Sequence, residues 1–265
     1  MLAHTRKSTG SSNKVLKDPQ KIHEEHVNFL KVQLVRTSAA PIKLLETVEK
    51  IVASGLPETL GILSTGLENE KNPDVTLAII RRMGQQRVLE TTVIKYLLAV
   101  VPLLVEKAKA THKLVHAESL MTLTHLAPWL EGHLQDPDEH PPVQRVLSSL
   151  AGLIRMPEAS EYVVECGRHE GKTLAVMAVT LIGHSGGIDY LPFLNAKARE
   201  IDQLQRGSGI NFKDGAMLNA LNEAIREIFK NWSLNPEASG AIIKRDGGDL
   251  VVNTRPPKTQ RLYEV

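Results

Sequence analysis

The chain has 265 residues, 42% of them hydrophobic, and a formal net charge of +2. That length is generous for one compact core and natural for a repeat array or two small domains, and the apolar content is enough to bury a core. The balance of 32 basic against 30 acidic residues gives no electrostatic reason to require a nucleic acid or an acidic membrane as partner. Aromatic residues make up only 4%, with Trp129 and Trp232 the sole tryptophans, so the core must come from Leu, Val, Ile and Ala. Cys166 is the single cysteine, so no internal disulfide can form, and the expected setting is the cytoplasm or another reducing compartment. No apolar run reaches the roughly 18 residues of a membrane span. The longest, Tyr96 to Val105, is interrupted by Pro102, and no membrane insertion is expected.

Residues 1–18 carry Arg6, Lys7, Lys14 and Lys17 among serines, and read as a disordered basic tail. They lack the apolar centre of a secretory signal, and the composition leaves a targeting role open. From Pro19 the spacing turns helical. Ile22, His26, Phe29, Leu30 and Leu34 recur at steps of three and four, which places them on one face. Ile42, Leu45, Val48, Ile51 and Val52 repeat the signal over 41–53.

A series of helix pairs follows. Pro57 precedes a helix running to about Leu67, Asn72-Pro73-Asp74 makes a turn, and Val75 to Met83 is a second helix. Pro102, Pro128, Pro157 and Pro192 mark further units, because proline fits the first turn of a helix or kinks one already begun. The clearest unit runs from Leu126 to Ile154, with Pro128 early in its first helix, Asp136-Pro137-Asp138 in the turn, and Val143 and Arg145 opening its second. Small residues punctuate the second helices, at Ala78, Ala117, Ser148, Ala151, Ala175, Ala178, Ala216 and Ala220, where neighbouring helices can approach closely.

The unit from Leu126 to Ile154 resembles a HEAT repeat, and the group over 55–230 resembles the HEAT/armadillo class of helical repeats. The family pattern has Val and Arg adjacent, whereas Gln144 separates them here and His140-Pro141-Pro142 lengthens the turn. The resemblance implies an all-α fold, an irregular HEAT/armadillo-like solenoid over 19–232. An irregular helical bundle has the same patterns.

After Trp232 the composition changes. Ile242 and Ile243, then Leu250, Val251 and Val252, flank Asp246-Gly247-Gly248, which signals a short C-terminal β-hairpin within an extension over 233–265. The final stretch reads as an exposed tail with Arg255, Lys258 and Arg261.

Several motifs approach a catalytic pattern. Gly183-His184-Ser185-Gly186-Gly187 fits the spacing of a nucleophile elbow, but that elbow needs a strand before it and a histidine base later in the chain, and His184 is the last histidine. The segment is expected to be a turn between helices whose glycines supply positive φ. Gly167 to Thr173 falls one residue short of a phosphate-binding loop, since Cys166 stands where a glycine is needed, and Lys172 is expected at the solvent side of a helix start. His112 and His116 share a helical face but Lys113 occupies the position a zinc protease gives to glutamate. His125, His133 and His140 supply no defined ligand set, and Cys166 reads as a small buried apolar residue. No cofactor and no metal is expected.

Arg81, Arg82 and Arg87, with Lys107, Lys109 and Lys113, would form a positive ridge if their helices were neighbours, diluted by Glu90, Glu106 and Glu118. The expectation is therefore a non-enzymatic protein-interaction scaffold within a larger assembly. Its partners would be proteins, met through the ridge or through strand addition at Ile242, Ile243, Leu250, Val251 and Val252. The alternative is a HEAT-like protein holding a nucleic acid backbone on the ridge. A serine hydrolase using Ser185 is the remote alternative.

Overall fold

The computed structural model describes residues 19–36, 40–86, 91–134, 141–165, 167–169, 171–208, 212–233, 242–246 and 249–253. Within those residues the fold is made of helices: α1 (Pro19–Val35), α2 (Pro41–Ala53), α3 (Thr59–Asn69), α4 (Pro73–Gly84), α5 (Thr91–Ala108), α6 (Lys113–Leu126), α7 (Pro141–Ile154), α8 (Leu174–Ser185), α9 (Leu191–Ser208) and α10 (Phe212–Ser233). Single 3-10 turns lie at Ala127–Leu130, Pro157–Ser160, Gly167–His169 and Ile188–Tyr190. Strands β1 (Ile242–Asp246) and β2 (Asp249–Asn253) pair antiparallel, with Ile243 opposite Val252. Gly247 and Gly248 between them, and the expected tails over 1–18 and 254–265, lie outside the described residues.

Local chemistry accounts for several helix starts. Pro41 and Pro73 occupy the first turns of α2 and α4, where the missing N–H costs nothing. Asn72 caps α4, its side-chain oxygen accepting from the N–H groups of Asp74 at 2.9 Å and Val75 at 3.3 Å. Thr173 caps α8 by accepting from the Val176 N–H at 3.3 Å.

The helices bury one another in sequence. Each odd helix from α1 to α7 touches the next odd one, and α2, α4 and α6 touch in the same manner. Cross-contacts join α1 to α2, α3 to α4 and α5 to α6. Beyond α7 the order changes, with α8 on α7, α10 on α8, and α9 on α10. One apolar core runs through all of this, from Val48, Ile51 and Leu63 through Leu104, Leu123 and Leu150 to Leu181 and Leu221. Glycines set three close approaches. A Cβ on Gly66 would meet the Leu34 side chain at 2.3 Å, one on Gly61 the Tyr96 ring at 2.5 Å, and one on Gly183 the Ala224 backbone at 2.6 Å.

The sequence units need correction in phase. The first helix expected for Leu126 to Ile154 does not form: Leu126 ends α6, and Pro128 lies in the 3-10 turn that follows it. Pro157 likewise sits in a 3-10 turn, and Pro102 lies inside α5 rather than at a start. Proline tolerates all three settings, so its position alone does not mark a unit. The face of α1 is also rotated from expectation. Val27, Leu30 and Leu34 are buried, while Ile22 and Phe29 are 50% and 56% exposed.

Candidate functional site

The basic residues expected to form a ridge are distributed between ion pairs and open surface. Arg82 of α4 forks onto Glu49 of α2, its Nε and Nη2 donating at 2.9 and 2.7 Å, and its Nη1 donates to Gln85 at 2.7 Å. Arg81 donates from Nε to Glu118 of α6 at 3.0 Å. Lys107 donates to the carbonyl of Glu70 at 3.2 Å. Lys109 and Lys113 are exposed, and Arg87 lies outside the described residues. The two arginines thus alternate with carboxylates across the row α2, α4 and α6. Ile242 and Ile243 fall on β1, and Leu250, Val251 and Val252 on β2.

The nucleophile-elbow spacing falls on helix, not strand. Ser185 is the last residue of α8, and Gly186 ends it by donating its N–H to the Ile182 carbonyl at 2.7 Å. The expectation of positive φ fails here: Gly186 and Gly187 have φ of −80° and −83°. Gly186 is instead hemmed in, since a Cβ on it would stand 2.5 Å from the Ile182 carbonyl oxygen. His116 bonds through Nδ1 to the Ala108 carbonyl, and His23 pairs with Glu58 at 3.1 Å. Among the described residues no group of three His, Cys, Asp or Glu side chains is arranged to hold a metal ion.

The near-miss phosphate loop builds something different. Val164 N–H donates to Lys172 O at 2.8 Å and Leu174 N–H to Tyr162 O at 2.8 Å, which ties the two arms of the loop together. Gly167 and Gly171, at φ of 47° and 79°, let the chain turn between the arms. His169 lies between those glycines and is pressed inward, its side chain only 5% exposed. Its Nε2 lies 2.5 Å from Oε2 of Glu131, the residue that follows the 3-10 turn at Pro128. The other oxygen of Glu131 is 3.6 Å from Nδ1 of His184, in the last turn of α8.

A carboxylate can only accept, so the His169 proton in this contact sits on Nε2. Its Nδ1 is buried with no hydrogen-bond partner. These groups line a cleft of about 190 Å³ between the loop, α8 and α10. Glu223 and Glu227 of α10 and Lys172 of the loop also line it. Sequence reasoning missed this cluster because its members come from four separate segments.

Apolar side chains also stand outside the core. Ile22, Phe29 and Val32 of α1 are 50–57% exposed, and recur at steps of seven and three that place them on the face away from Val27 and Leu30. Leu114 and Met121, seven apart on α6, are 58% and 45% exposed. Among the described residues no helix is long and apolar enough to cross a membrane. Comparison with protein-family models, with curated proteins and with solved structures yields no match for this chain.

Proposed function

We propose that the chain is a non-enzymatic protein-interaction scaffold, an irregular HEAT-like helical solenoid that serves as a subunit of a larger assembly. The observation that carries this reading is the outward apolar strip of α1, where Ile22, Phe29 and Val32 are each at least half exposed on the terminal helix of the stack. Single exposed apolar residues are ordinary, and three in helical register on one face support a surface that another protein covers. The pairing of successive odd and successive even helices is the packing a stacked scaffold requires, and such a stack offers an extended surface. The β1–β2 ribbon supplies a second docking element by strand addition at its edges.

A photo-crosslinking residue at position 29 tests the reading directly. It is expected to capture a defined protein partner in the native cell. Purified, that partner should bind the wild-type chain and lose affinity for Phe29→Glu, whose melting temperature stays unchanged. Equal binding by Phe29→Glu overturns the α1 surface. Retained binding after deletion of residues 236–265 removes the ribbon from the interface.

A further inference from the structure

We infer that the outward strip of α1 pairs with the same strip of a second copy of this chain, the two helices running antiparallel. The inference rests on the proposed reading of α1 as a covered surface, and goes further by naming what covers it. Ile22, Phe29 and Val32 are exposed on α1, the first helix of the odd row, whose opposite side is held by α2 and α3. A terminal unit that closes a helical stack carries a polar outer face. The outer face of α1 instead carries an apolar stripe, as on a helix against which another helix packs.

Spacing sets the geometry of that contact. Ile22, Glu25, Phe29, Val32 and Arg36 recur at alternating steps of three and four, the seam of a two-helix coiled coil. All five are exposed, while Val27, Leu30 and Leu34 are buried on the other side of the helix. A parallel pair would set Glu25 on Glu25 and Arg36 on Arg36, like charge against like. In an antiparallel pair, alternate seam positions face one another. With Phe29 opposite Val32 of the second copy, two-fold symmetry makes that layer twice, and Glu25 stands opposite Arg36 at both ends. Sliding one heptad in either direction puts Glu25 against Phe29, or Arg36 against Val32, which sets a charge on an apolar side chain.

The occupant follows from this self-complementarity. In one arrangement apolar meets apolar and acid meets base, and every element of the match is already present on the strip itself. The end pairs are at the rim, where opposite charges fix orientation more than they add affinity. Ile22 falls beyond the end of the facing α1, so the apolar contact is the two Phe29–Val32 layers. An interface of that size suits a weak dimer that forms and separates with concentration.

The test is sedimentation velocity of the full chain over a concentration series. The wild type is expected to be a dimer at about 100 μM and a monomer at about 1 μM. Phe29→Glu is expected to weaken the dimer at least about tenfold. Glu25→Arg alone and Arg36→Glu alone should each weaken it about threefold or more, and the double exchange Glu25→Arg/Arg36→Glu should restore it. Melting at about 1 μM, where every variant is monomeric, separates lost pairing from a damaged helix. A photo-crosslinker at position 29 of the purified chain reads the register without any charge change, and should attach near Val32 of the second copy. A wild type that stays monomeric at about 100 μM, a dimer indifferent to Phe29→Glu, a double exchange that fails to restore pairing, or attachment elsewhere on the second copy overturns the inference. The same crosslinker in the cell separates this inference from the reading beneath it. If it captures a different protein while the purified chain is monomeric, the α1 surface stands and the second copy falls. If it captures nothing and the chain is monomeric, both fall.

Discussion

Gly183 of α8 meets Ala224 of α10 so closely that a Cβ on the glycine would stand 2.6 Å from the Ala224 Cα. Two helix backbones are in contact there, and neither has a flexible side chain to yield. Glycine inside a helix normally costs roughly 1 kcal/mol relative to alanine, so Gly183→Ala would stabilise an isolated α8. The clash is expected to outweigh that gain, because inserting a methyl into a filled interface costs about 1–3 kcal/mol. Gly183→Ala should lower the urea midpoint of unfolding, and Gly183→Val should lower it further. A rise in midpoint for Gly183→Ala would mean that α8 and α10 are further apart than described.

The Asn72 cap gives a second prediction. Its side chain answers two of the free N–H groups at the start of α4. Asn72→Ala should cost about 1 kcal/mol, while Asn72→Asp, which keeps the acceptor, should cost little. Equilibrium unfolding of the three proteins decides it, and equal losses for Ala and Asp would refute the capping role.

This cap and its failures elsewhere show what the sequence could disclose. Asn72-Pro73-Asp74 discloses a break in the chain, because proline geometry acts locally, but the sequence reading makes all three a turn before a helix at Val75, whereas Asn72 caps a helix that already begins at Pro73. Pro128 and Pro157 do not, since a proline opening an α-helix and one in a 3-10 turn have the same local cause. The tidy unit from Leu126 to Ile154 dissolved for that reason, although its second helix formed as α7. Periodicity located α1 correctly but misplaced its buried face, because Phe29 and Leu30 are equally apolar and only the docking of α2 and α3 chooses between them. Sequence alone gives the glycines of the Ser185 segment a role in backbone freedom, whereas Gly183 serves helix contact. That role depends on α10, which begins well after α8 has ended. Glu131 and His169 are 38 residues apart, and no spacing rule joins them.

The contact between those two residues is itself measurable. Glu131→Ala leaves the His169 ring buried without its acceptor, and should destabilise by about 1–3 kcal/mol. In a His169→Leu background the same substitution should cost less, because no buried donor is stranded. A double-mutant cycle by thermal or urea unfolding reads the coupling. Strict additivity would show that the ring and the carboxylate do not interact in solution.

The arginines of α4 bear on whether the basic residues hold a nucleic acid backbone. Arg82 and Glu49 form a forked pair at the surface, with side chains 35% and 55% exposed. Exposed pairs contribute about 0–1 kcal/mol, so Arg82→Ala should change stability little. Electrostatics at long range tells more. A phosphate backbone is drawn to uncompensated charge, and Glu49 and Glu118 offset Arg82 and Arg81 where they stand. Binding of duplex DNA or RNA at moderate salt is therefore expected to be weak, and the double variant Arg81→Glu/Arg82→Glu should alter it little. The complementary change is more revealing: Glu49→Gln/Glu118→Gln frees both arginines, and should raise nonspecific affinity and steepen its dependence on salt. Tight binding by the wild-type chain that collapses in Arg81→Glu/Arg82→Glu would reverse the order of preference and place the nucleic acid on the row of α2, α4 and α6.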